Sequence, residues 1–216
     1  MPGEIFHQSL PYKLILASAS PRRKELLAAA GIECEVWPST VKEWQGEQES
    51  AEEFVRRIAE EKANDVLSRL SLDSPRAVLG ADTVVLADGR TLGKPSSADD
   101  AARMLRLLSG NAHRVLTGVC LLYSGAADRS RPEARWQDTR VASTTVQFLP
   151  LSDQEIIEYV ATGEPFDKAG AYAIQGRASK FVESIEGCYF NVVGLPVSLV
   201  YQMLQRLNAA LRDTGK

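Results

Sequence analysis

An apolar strand that turns directly into a helix is the feature of this sequence that most restricts its fold. Residues 14–17 are the apolar run Leu-Ile-Leu-Ala, and small residues follow it. Ser20 is a favoured N-cap residue, Pro21 suits the first helical position, and Gly31 is typical of the residue just after a helix end. The segment therefore predicts a strand and a helix joined by a tight turn, as in α/β proteins.

The first turn of this predicted helix carries three positive charges, Arg22, Arg23 and Lys24, where acidic residues would be expected. Each cation at the positive end of the helix dipole costs a few tenths of a kcal/mol, up to about 1. An external anion would remove this conflict, because free backbone N–H groups, the dipole and two guanidinium groups could then bind one phosphate. The alternative is a basic helix start that is only solvated, and the segment alone leaves both open.

Helices and strands are interleaved along the rest of the chain. Capping boxes at Ser50 and Ser152 predict the starts of two helices, and Gly-containing turns predict two hairpins. The predicted strands cover residues 32–37, 77–86, 90–92, 114–123, 136–149, 181–185 and 188–193. The predicted helices cover 51–70, 97–108, 153–163 and 196–211. The hairpin turns lie at 88–89 and 186–187, and 164–178 is irregular. Because hairpins break strict strand–helix alternation, we expect an α/β fold with a mixed sheet flanked by helices in one domain.

Composition excludes several classes of protein. The 216 residues carry a net charge of −3 and give a pI of about 5.6. This acidity disfavours a nucleic-acid-binding protein and makes a small anion the better partner for the local basic charge.

Three cysteines without metal-ligand or disulfide spacing, and only two histidines, disfavour a zinc site and fit a reducing compartment. We expect a cytoplasmic protein that does not enter a membrane, because neither a signal peptide nor an apolar run of about 18 residues is found. No P-loop motif is present either.

Asp82 is the second informative feature, since it lies inside the apolar run 77–86. A carboxylate there is costly unless it is paired or bound to a metal, which favours a metal-binding or general-base role over capping of a nearby loop. Gly80 permits close approach of another backbone or of a ligand. Lys62 lies at i,i+4 spacing with apolar residues of its helix, so its ammonium either reaches the rim of the core or lines a cleft.

Phosphate chemistry requires cations, a divalent ion and an activated water molecule, and Mg²⁺ takes oxygen ligands. The candidate carboxylates are Glu43 and Asp82, and the candidate cations are Arg22, Arg23, Lys62 and Lys94, of which Lys94 could equally be solvent-exposed. The loop 167–176 holds close charges at Asp167 and Lys168. In the same loop Gln175 offers a donor and an acceptor, as recognition of a base edge requires.

Seven short segments stand out along the chain: Ser18-Ala-Ser-Pro-Arg-Arg23, Gly80-Ala-Asp-Thr-Val-Val85, Leu92-Gly-Lys-Pro95, Leu108-Ser-Gly110, Thr117-Gly-Val119, Asp167-Lys-Ala-Gly-Ala-Tyr172 and Gly194-Leu-Pro196. Taken in this order, they resemble the Maf family over about residues 13–205. The resemblance implies a twisted mixed sheet in a Maf/ITPase-like, two-lobed architecture with a central cleft. It also implies a nucleotide pyrophosphatase, which hydrolyses a nucleoside triphosphate to the monophosphate and pyrophosphate with a divalent metal, Mg²⁺ or Mn²⁺.

The resemblance further implies roles for individual residues. Asp82 would be the catalytic acidic residue, and Arg22, Thr83 and Gln175 would set substrate choice. In the hypothesis of a pyrophosphatase, Glu43 and Asp82 would position the metal, and one of them would activate water. The other positions expected to bind substrate or line the cleft are Ser18, Ser20, Arg23, Lys62, Lys94, Asp167 and Lys168. The loop that carries Gln175 is similar to that of the branch acting on dTTP and UTP.

Two alternatives remain at this point: the branch acting on 7-methyl-GTP, and a non-enzymatic regulator of septum formation that binds nucleotide or protein. The resemblance also suggests a homodimer. We expect residues 1–12 to be an N-terminal extension and 13–211 to be one catalytic domain. Residues 124–135, rich in Gly, Arg, Asp and Pro, predict a flexible surface loop that is longer than usual for the family.

Overall fold

A computed structural model describes residues 10–70, 74–125 and 135–214, and these form one seven-stranded sheet with six α-helices. The strands are β1 (Lys13–Leu16), β2 (Glu35–Val36), β3 (Arg76–Ala87), β4 (Arg90–Leu92), β5 (Ala112–Ser124), β6 (Arg135–Phe148) and β7 (Val182–Glu186). The helices are α1 (Pro21–Ala29), α2 (Ala51–Arg69), α3 (Ala98–Leu108), α4 (Asp153–Ala161), α5 (Tyr189–Val193) and α6 (Val197–Thr214). Short 3₁₀ segments cover Glu164–Asp167, Ala169–Ala171 and Arg177–Phe181. Among these described elements, no helix has the length and apolar character needed to cross a membrane.

The sheet is mixed, as predicted. Its strand order is β2-β1-β3-β5-β6-β7, with β4 paired to β3. Strand β1 runs parallel to β2 and β3, whereas the other pairs are antiparallel. Strand β1 pairs only with residues 76–79 of β3, whereas β3, β5 and β6 pair with one another over most of their length. These three long strands therefore continue beyond the end of β1. Their far halves therefore build a second part of the molecule.

Strand β3 passes from one lobe to the other. In its first half, Leu79 and Ala81 belong to a hydrophobic cluster that includes buried residues of α1 and α6. In its second half, Val85 and Ala87 belong to a separate cluster with residues of α3 and α4. The residues between these two clusters, Asp82 and Thr83, therefore lie where the lobes meet, which agrees with the expected two-lobed architecture.

Two glycines bring helix α2 against the backbone of the sheet. A Cβ atom at Gly80 on β3 would lie 2.1 Å from the Ala59 carbonyl oxygen, and one at Gly118 on β5 would lie 2.0 Å from that of Val55. Only glycine leaves room for this approach. The sequence predicted that either a backbone or a ligand approaches Gly80 closely. The structure shows that it is the backbone of α2. The approach brings Lys62, on the next turn of α2, towards β3.

Most of the predicted elements are present. Both capping boxes form, with Ser50 and Glu53 at the start of α2 and Ser152 and Glu155 at the start of α4. Ser20 is the N-cap of α1 and Pro21 its first residue, although the Ser20 side chain makes no capping hydrogen bond. Strand β2 is shorter than the predicted 32–37. The predicted loop 124–135 falls mostly outside the described residues, and the predicted division at residue 12 stays a prediction.

The second predicted hairpin is wrong. Residues 182–186 form β7, but Tyr189–Val193 is a helix rather than the returning strand. Its aromatic and β-branched residues favour a strand locally, but tertiary contacts decide otherwise. The buried Asn191 side chain donates from Nδ2 to the Val115 carbonyl oxygen at 2.9 Å and to Thr144 Oγ1 at 3.1 Å. These bonds fix the segment as a helical turn against β5 and β6.

Candidate functional site

A cleft of about 590 Å³ lies between the two lobes. It is lined by residues from the turn after β1, from helix α2, from the middle of β3 and from the loops before β7 and α6. Every candidate site residue from the sequence lines it: Ser18, Ser20, Arg22, Arg23, Glu43, Lys62, Asp82, Thr83, Lys94, Asp167, Lys168 and Gln175. Residues far apart in sequence therefore share one cavity.

An ion-paired cluster of Asp82, Lys62 and Glu43 forms the buried wall of the cleft. Lys62 Nζ donates to Asp82 Oδ1 at 2.7 Å and to Glu43 Oε1 at 2.6 Å. Asp82 is 4% exposed and Lys62 is 7% exposed, whereas Glu43 lies at the more open side. Of the two alternatives for Lys62, the structure shows the ammonium that lines a cleft. Asp82 pairs with this lysine and does not cap a loop.

Burial and charge act in opposite directions on these two carboxyl groups. Burial raises the pKa of Asp82 above its ordinary value, and the Lys62 ammonium only partly offsets this effect. Burial also acts to raise the pKa of Glu43, but the Lys62 ammonium and its hydrogen bond, together with the charges of Lys94 and Arg23, outweigh it and hold that pKa below its ordinary value. The pKa values of the two carboxyl groups are thus shifted in opposite directions, and the raised pKa of Asp82 suits a general base.

Arg23 is bonded to the protein itself. Its Nε donates to the Gly194 carbonyl oxygen at 2.9 Å, and Nη1 donates to Ser18 Oγ at 3.0 Å and to the Ala81 carbonyl oxygen at 2.7 Å. Its Nη2 donates to Thr83 Oγ1 at 3.0 Å. Burial lowers the pKa of this guanidinium, against the effect of nearby carboxylates. The sequence suggested that two guanidinium groups converge on a phosphate, but the bonds of Arg23 favour a positioning role for it.

The remaining cations lie at the mouth of the cleft. Arg22 Nη1 contacts Asp167 Oδ2 at 3.4 Å, and Lys168 pairs with the other oxygen of the same carboxylate. Lys94 is exposed on its loop and lies close enough to Glu43 to lower the pKa of that carboxyl group. Ser20 is half-buried at the start of α1. Arg22, Lys94 and Lys168 can therefore meet an anion that enters from solvent.

Thr83 is hydrogen-bonded within the protein, whereas Gln175 is exposed at the cleft. Thr83 Oγ1 lies 3.0 Å from Thr117 Oγ1 and 3.3 Å from the Gly194 carbonyl oxygen, in addition to its bond from Arg23. Its hydroxyl thus belongs to the network around Arg23. Gln175 is exposed at the cleft in a turn that is closed by the Gly176 N–H donating to the Ala173 carbonyl oxygen at 3.0 Å. Its amide can face a ligand.

Sequence reasoning missed several residues around the cleft. Gly194 was not selected, because its role depends on a carbonyl oxygen rather than on a side chain. Thr117 was not selected because its partner Thr83 is distant in sequence. Tyr159 and Glu164 bond each other only five residues apart, but their other partners, Ala173 and Arg177, lie 14 and 13 residues further along the chain. One signal in the sequence could have identified Glu164, namely its position directly after Gly163, the residue that ends the preceding helix. His113 and Tyr172 are both buried, and His113 Nε2 lies 2.8 Å from the Tyr172 hydroxyl oxygen, which gives His113 a structural role.

The residues present fit a divalent cation that also binds substrate. In the described part of the chain, no group of three or more His, Cys, Asp or Glu side chains forms a complete metal site. Mg²⁺, however, commonly uses one or two carboxylates, with phosphate oxygens and waters as its other ligands. Lys62 uses Oδ1 of Asp82 and Oε1 of Glu43, so each carboxylate has a second oxygen outside these bonds. The lysine also shows that this place favours positive charge.

Comparison with known proteins identifies the family of this chain. A family model described as Maf-like protein matches residues 13–207. The chain belongs to the Maf family. The family that the sequence motifs resemble is thereby confirmed, and its match covers all twelve candidate residues.

Maf relatives with curated names are similar over most of this chain. The dTTP/UTP pyrophosphatase of Koribacter versatilis is 47% identical over 193 residues, which are 89% of this chain and 93% of the relative. That of Alkaliphilus oremlandii is 49% identical, over 86% of this chain and 91% of the relative. Among solved structures, a nucleoside-triphosphatase (dITP/XTP pyrophosphatase) from Mycobacterium abscessus has a TM-score of 0.42 and 12% identity over 92% of this chain and 98% of that one. The last likeness is too low to bear on the site.

Proposed function

We propose that this protein is a nucleoside triphosphate pyrophosphatase that hydrolyses dTTP and UTP to the monophosphate and pyrophosphate. The observation that carries the proposal is the ion-paired cluster of the buried Asp82 and Lys62 with the more exposed Glu43, in the same cleft as the cations of α1 and of two loops. A carboxylate with a raised pKa and a set of cations are the parts that water attack on a phosphoanhydride requires.

The triphosphate would lie along the cleft from α1 towards the acidic cluster. Arg22, Lys94 and Lys168 neutralise its charge, and the N-terminal turn of α1 adds backbone N–H groups and the helix dipole. Arg23 keeps this turn in place, because it ties Ser18 to the Ala81 carbonyl oxygen of β3. Pairing with Asp167 holds the Arg22 side chain near the entrance until a phosphate competes for it.

The proposed reaction cleaves the bond between the α-phosphorus and the oxygen that bridges it to the β-phosphorus. The oxygen of a water molecule attacks the α-phosphorus, one of its protons passes to Asp82, and pyrophosphate leaves with the bridging oxygen. Lys62 keeps the Asp82 carboxylate oriented towards the cleft. Mg²⁺ or Mn²⁺ bound by Glu43 and Asp82 would neutralise charge on the phosphate oxygens.

The choice of dTTP and UTP is supported by the relatives, which carry the name dTTP/UTP pyrophosphatase at 46–49% identity. It is also supported by Gln175, whose amide offers both a donor and an acceptor to a base edge at the open side of the cleft. The proposal places the enzyme in a reducing compartment such as the cytoplasm, because Cys34, Cys120 and Cys188 are free thiols.

A panel of nucleotides tests the proposal. Purified protein is incubated with dTTP, UTP, dCTP, ATP, GTP and 7-methyl-GTP, with Mg²⁺, with Mn²⁺ or with EDTA, and monophosphate and pyrophosphate are separated by ion-exchange chromatography. We expect both products in equal amounts, fastest from dTTP and UTP, and none with EDTA. Preference for 7-methyl-GTP would overturn the substrate choice. Absence of product from every nucleotide would favour the non-enzymatic regulator.

Asp82→Asn tests the role of the carboxylate. Removal of a general base typically costs a factor of about 100 to 10,000, so we expect kcat for dTTP to fall by this amount while the circular dichroism spectrum stays unchanged. Asp153→Asn is the matched control, because Asp153 is an exposed aspartate that pairs with Arg106 outside the cleft. Equal kcat in Asp82→Asn and wild type would remove Asp82 from the mechanism.

A further inference from the structure

The turn that presents Gln175 is held from both ends by two side chains outside the predicted site. Tyr159 lies on α4, and its hydroxyl oxygen accepts from the Ala173 N–H at 3.3 Å. The same hydroxyl donates to Glu164 Oε1 at 2.8 Å. The Glu164 carboxylate in turn accepts from the Arg177 N–H, at 3.0 Å through Oε1 and 3.1 Å through Oε2. Ala173 and Arg177 flank Gln175 by two residues on each side.

The clamp formed by Tyr159 and Glu164 is closely packed. Tyr159 is 3% exposed, and its ring meets that of Phe181 edge-on, with centroids 5.5 Å apart. Burial and the neighbouring Glu164 raise the pKa of its phenol, so the hydroxyl keeps the proton that it donates. A Cβ atom at Gly176 would lie 2.2 Å from Glu164 Oε1. Any residue larger than glycine at position 176, next to Gln175, would therefore place its side chain where the Glu164 carboxylate lies.

A held turn matters for the choice of base. Thymine and uracil present an N–H donor between two carbonyl acceptors, whereas cytosine replaces one acceptor with an amino group and the N–H with an acceptor. A glutamine amide can rotate to suit either pattern. Discrimination therefore requires that its backbone be fixed, so that the amide reaches one edge pattern well and the other poorly.

We infer that Tyr159 and Glu164 are positioning residues that set the preference for dTTP and UTP over cytosine nucleotides by fixing the turn of Gln175. The inference rests on the proposed function and extends it to residues that do not line the cleft. The clamp connects this turn to helix α4 through Tyr159.

The test compares kcat/KM for dTTP with that for dCTP in Tyr159→Phe, Glu164→Ala and Glu164→Gln. We expect Tyr159→Phe and Glu164→Ala to lower the ratio at least about fivefold, mainly through a higher KM for dTTP, since loss of a fixed hydrogen-bonding geometry weakens binding of the matching base. Glu164→Gln keeps an acceptor oxygen and should recover part of the ratio. Glu155→Ala is the matched control, because it removes a carboxylate of α4, the helix that carries Tyr159, and this carboxylate bonds Ser152 at the start of α4 rather than the turn of Gln175. Its ratio should equal that of the wild type.

A double-mutant cycle separates positioning from general loosening of the structure. In a Gln175→Ala background, Tyr159→Phe should change the dTTP/dCTP ratio no further, because the amide through which it acts is gone. Thermal unfolding of each variant identifies any that does not fold. An active wild type with unchanged ratios in Tyr159→Phe and Glu164→Ala, or an equal further loss in the Gln175→Ala background, would overturn the inference alone. A wild type that releases no pyrophosphate would overturn the proposed function and the inference with it.

Discussion

The Lys62 ammonium lies between two carboxylates and is almost fully buried, so its removal would leave the charge of Asp82 uncompensated. Breaking a buried ion pair on one side typically costs about 3–5 kcal/mol. We expect Lys62→Met to lower the free energy of unfolding by about this amount at pH 8, measured by urea denaturation. In an Asp82→Asn background the same substitution should cost at least about 1.5 kcal/mol less. Equal costs in both backgrounds would show that the pair is not coupled.

At the scale of single residues, the sequence shows which side chains have a functional role more readily than it shows which residues they bond. The carboxylate in the run 77–86 and the lysine in an apolar row of its helix were both conspicuous, because each breaks a local pattern. That they bond each other depends on the approach of α2 to β3, which no local pattern reports. Arg23 illustrates the same limit. Its charge suggested phosphate, but three of its four acceptors belong to residues at least 58 positions away in sequence.

At the scale of elements, the position of α2 depends on two glycines of the sheet. Gly118→Ala would place a Cβ atom 2.0 Å from the Val55 carbonyl oxygen, and a backbone atom cannot rotate away. Overpacking of this kind typically costs about 1–3 kcal/mol, and moving α2 would also move Lys62. We therefore expect a lower unfolding midpoint in urea and a lower kcat for dTTP. Gly46→Ala is the matched control, because its Cβ would meet its nearest atom at 3.6 Å. A Gly118→Ala protein as stable and active as this control would contradict the assigned role of close packing.

Elements with strong local signals were predicted correctly and those decided by distant contacts were not. The capping boxes of α2 and α4 and the tight turn at Asp88-Gly89 agree with the structure, since each depends on residues within four positions. Helix α5 was predicted as a strand, because its residues favour strands and the amide bonds of Asn191 to β5 and β6 were invisible in the sequence. The carbonyl oxygen of Gly194 follows this helix, so the error also concealed a partner of Arg23.

At the scale of the whole molecule, the lobe formed by α3, α4 and the far halves of the long strands packs around a neutral histidine. His113 on β5 is 3% exposed, and its ring packs edge-on against Phe148 and Tyr172 with centroids 5.0 and 5.4 Å away. Burial lowers its pKa from 6.5 to about 4. Because the unfolded chain takes up a proton at this residue below about pH 6.5 and the folded protein does so only near pH 4, the stability that depends on neutral His113 is complete above pH 6.5. It is lost as the pH falls from 6.5 towards 4.

The size of this loss can be predicted. A shift of this magnitude corresponds to about 3 kcal/mol in the free energy of unfolding, at about 1.4 kcal/mol per pH unit of difference between the two pKa values. We expect the wild type to lose about 2–3 kcal/mol more than His113→Gln between pH 7.5 and 4.5, measured by urea denaturation at each pH. The carboxyl groups titrate in both proteins, so their contribution cancels in this comparison. Parallel pH curves for the two proteins would mean that His113 takes up its proton equally in the folded and unfolded states, and that the lobe does not exclude the charged ring.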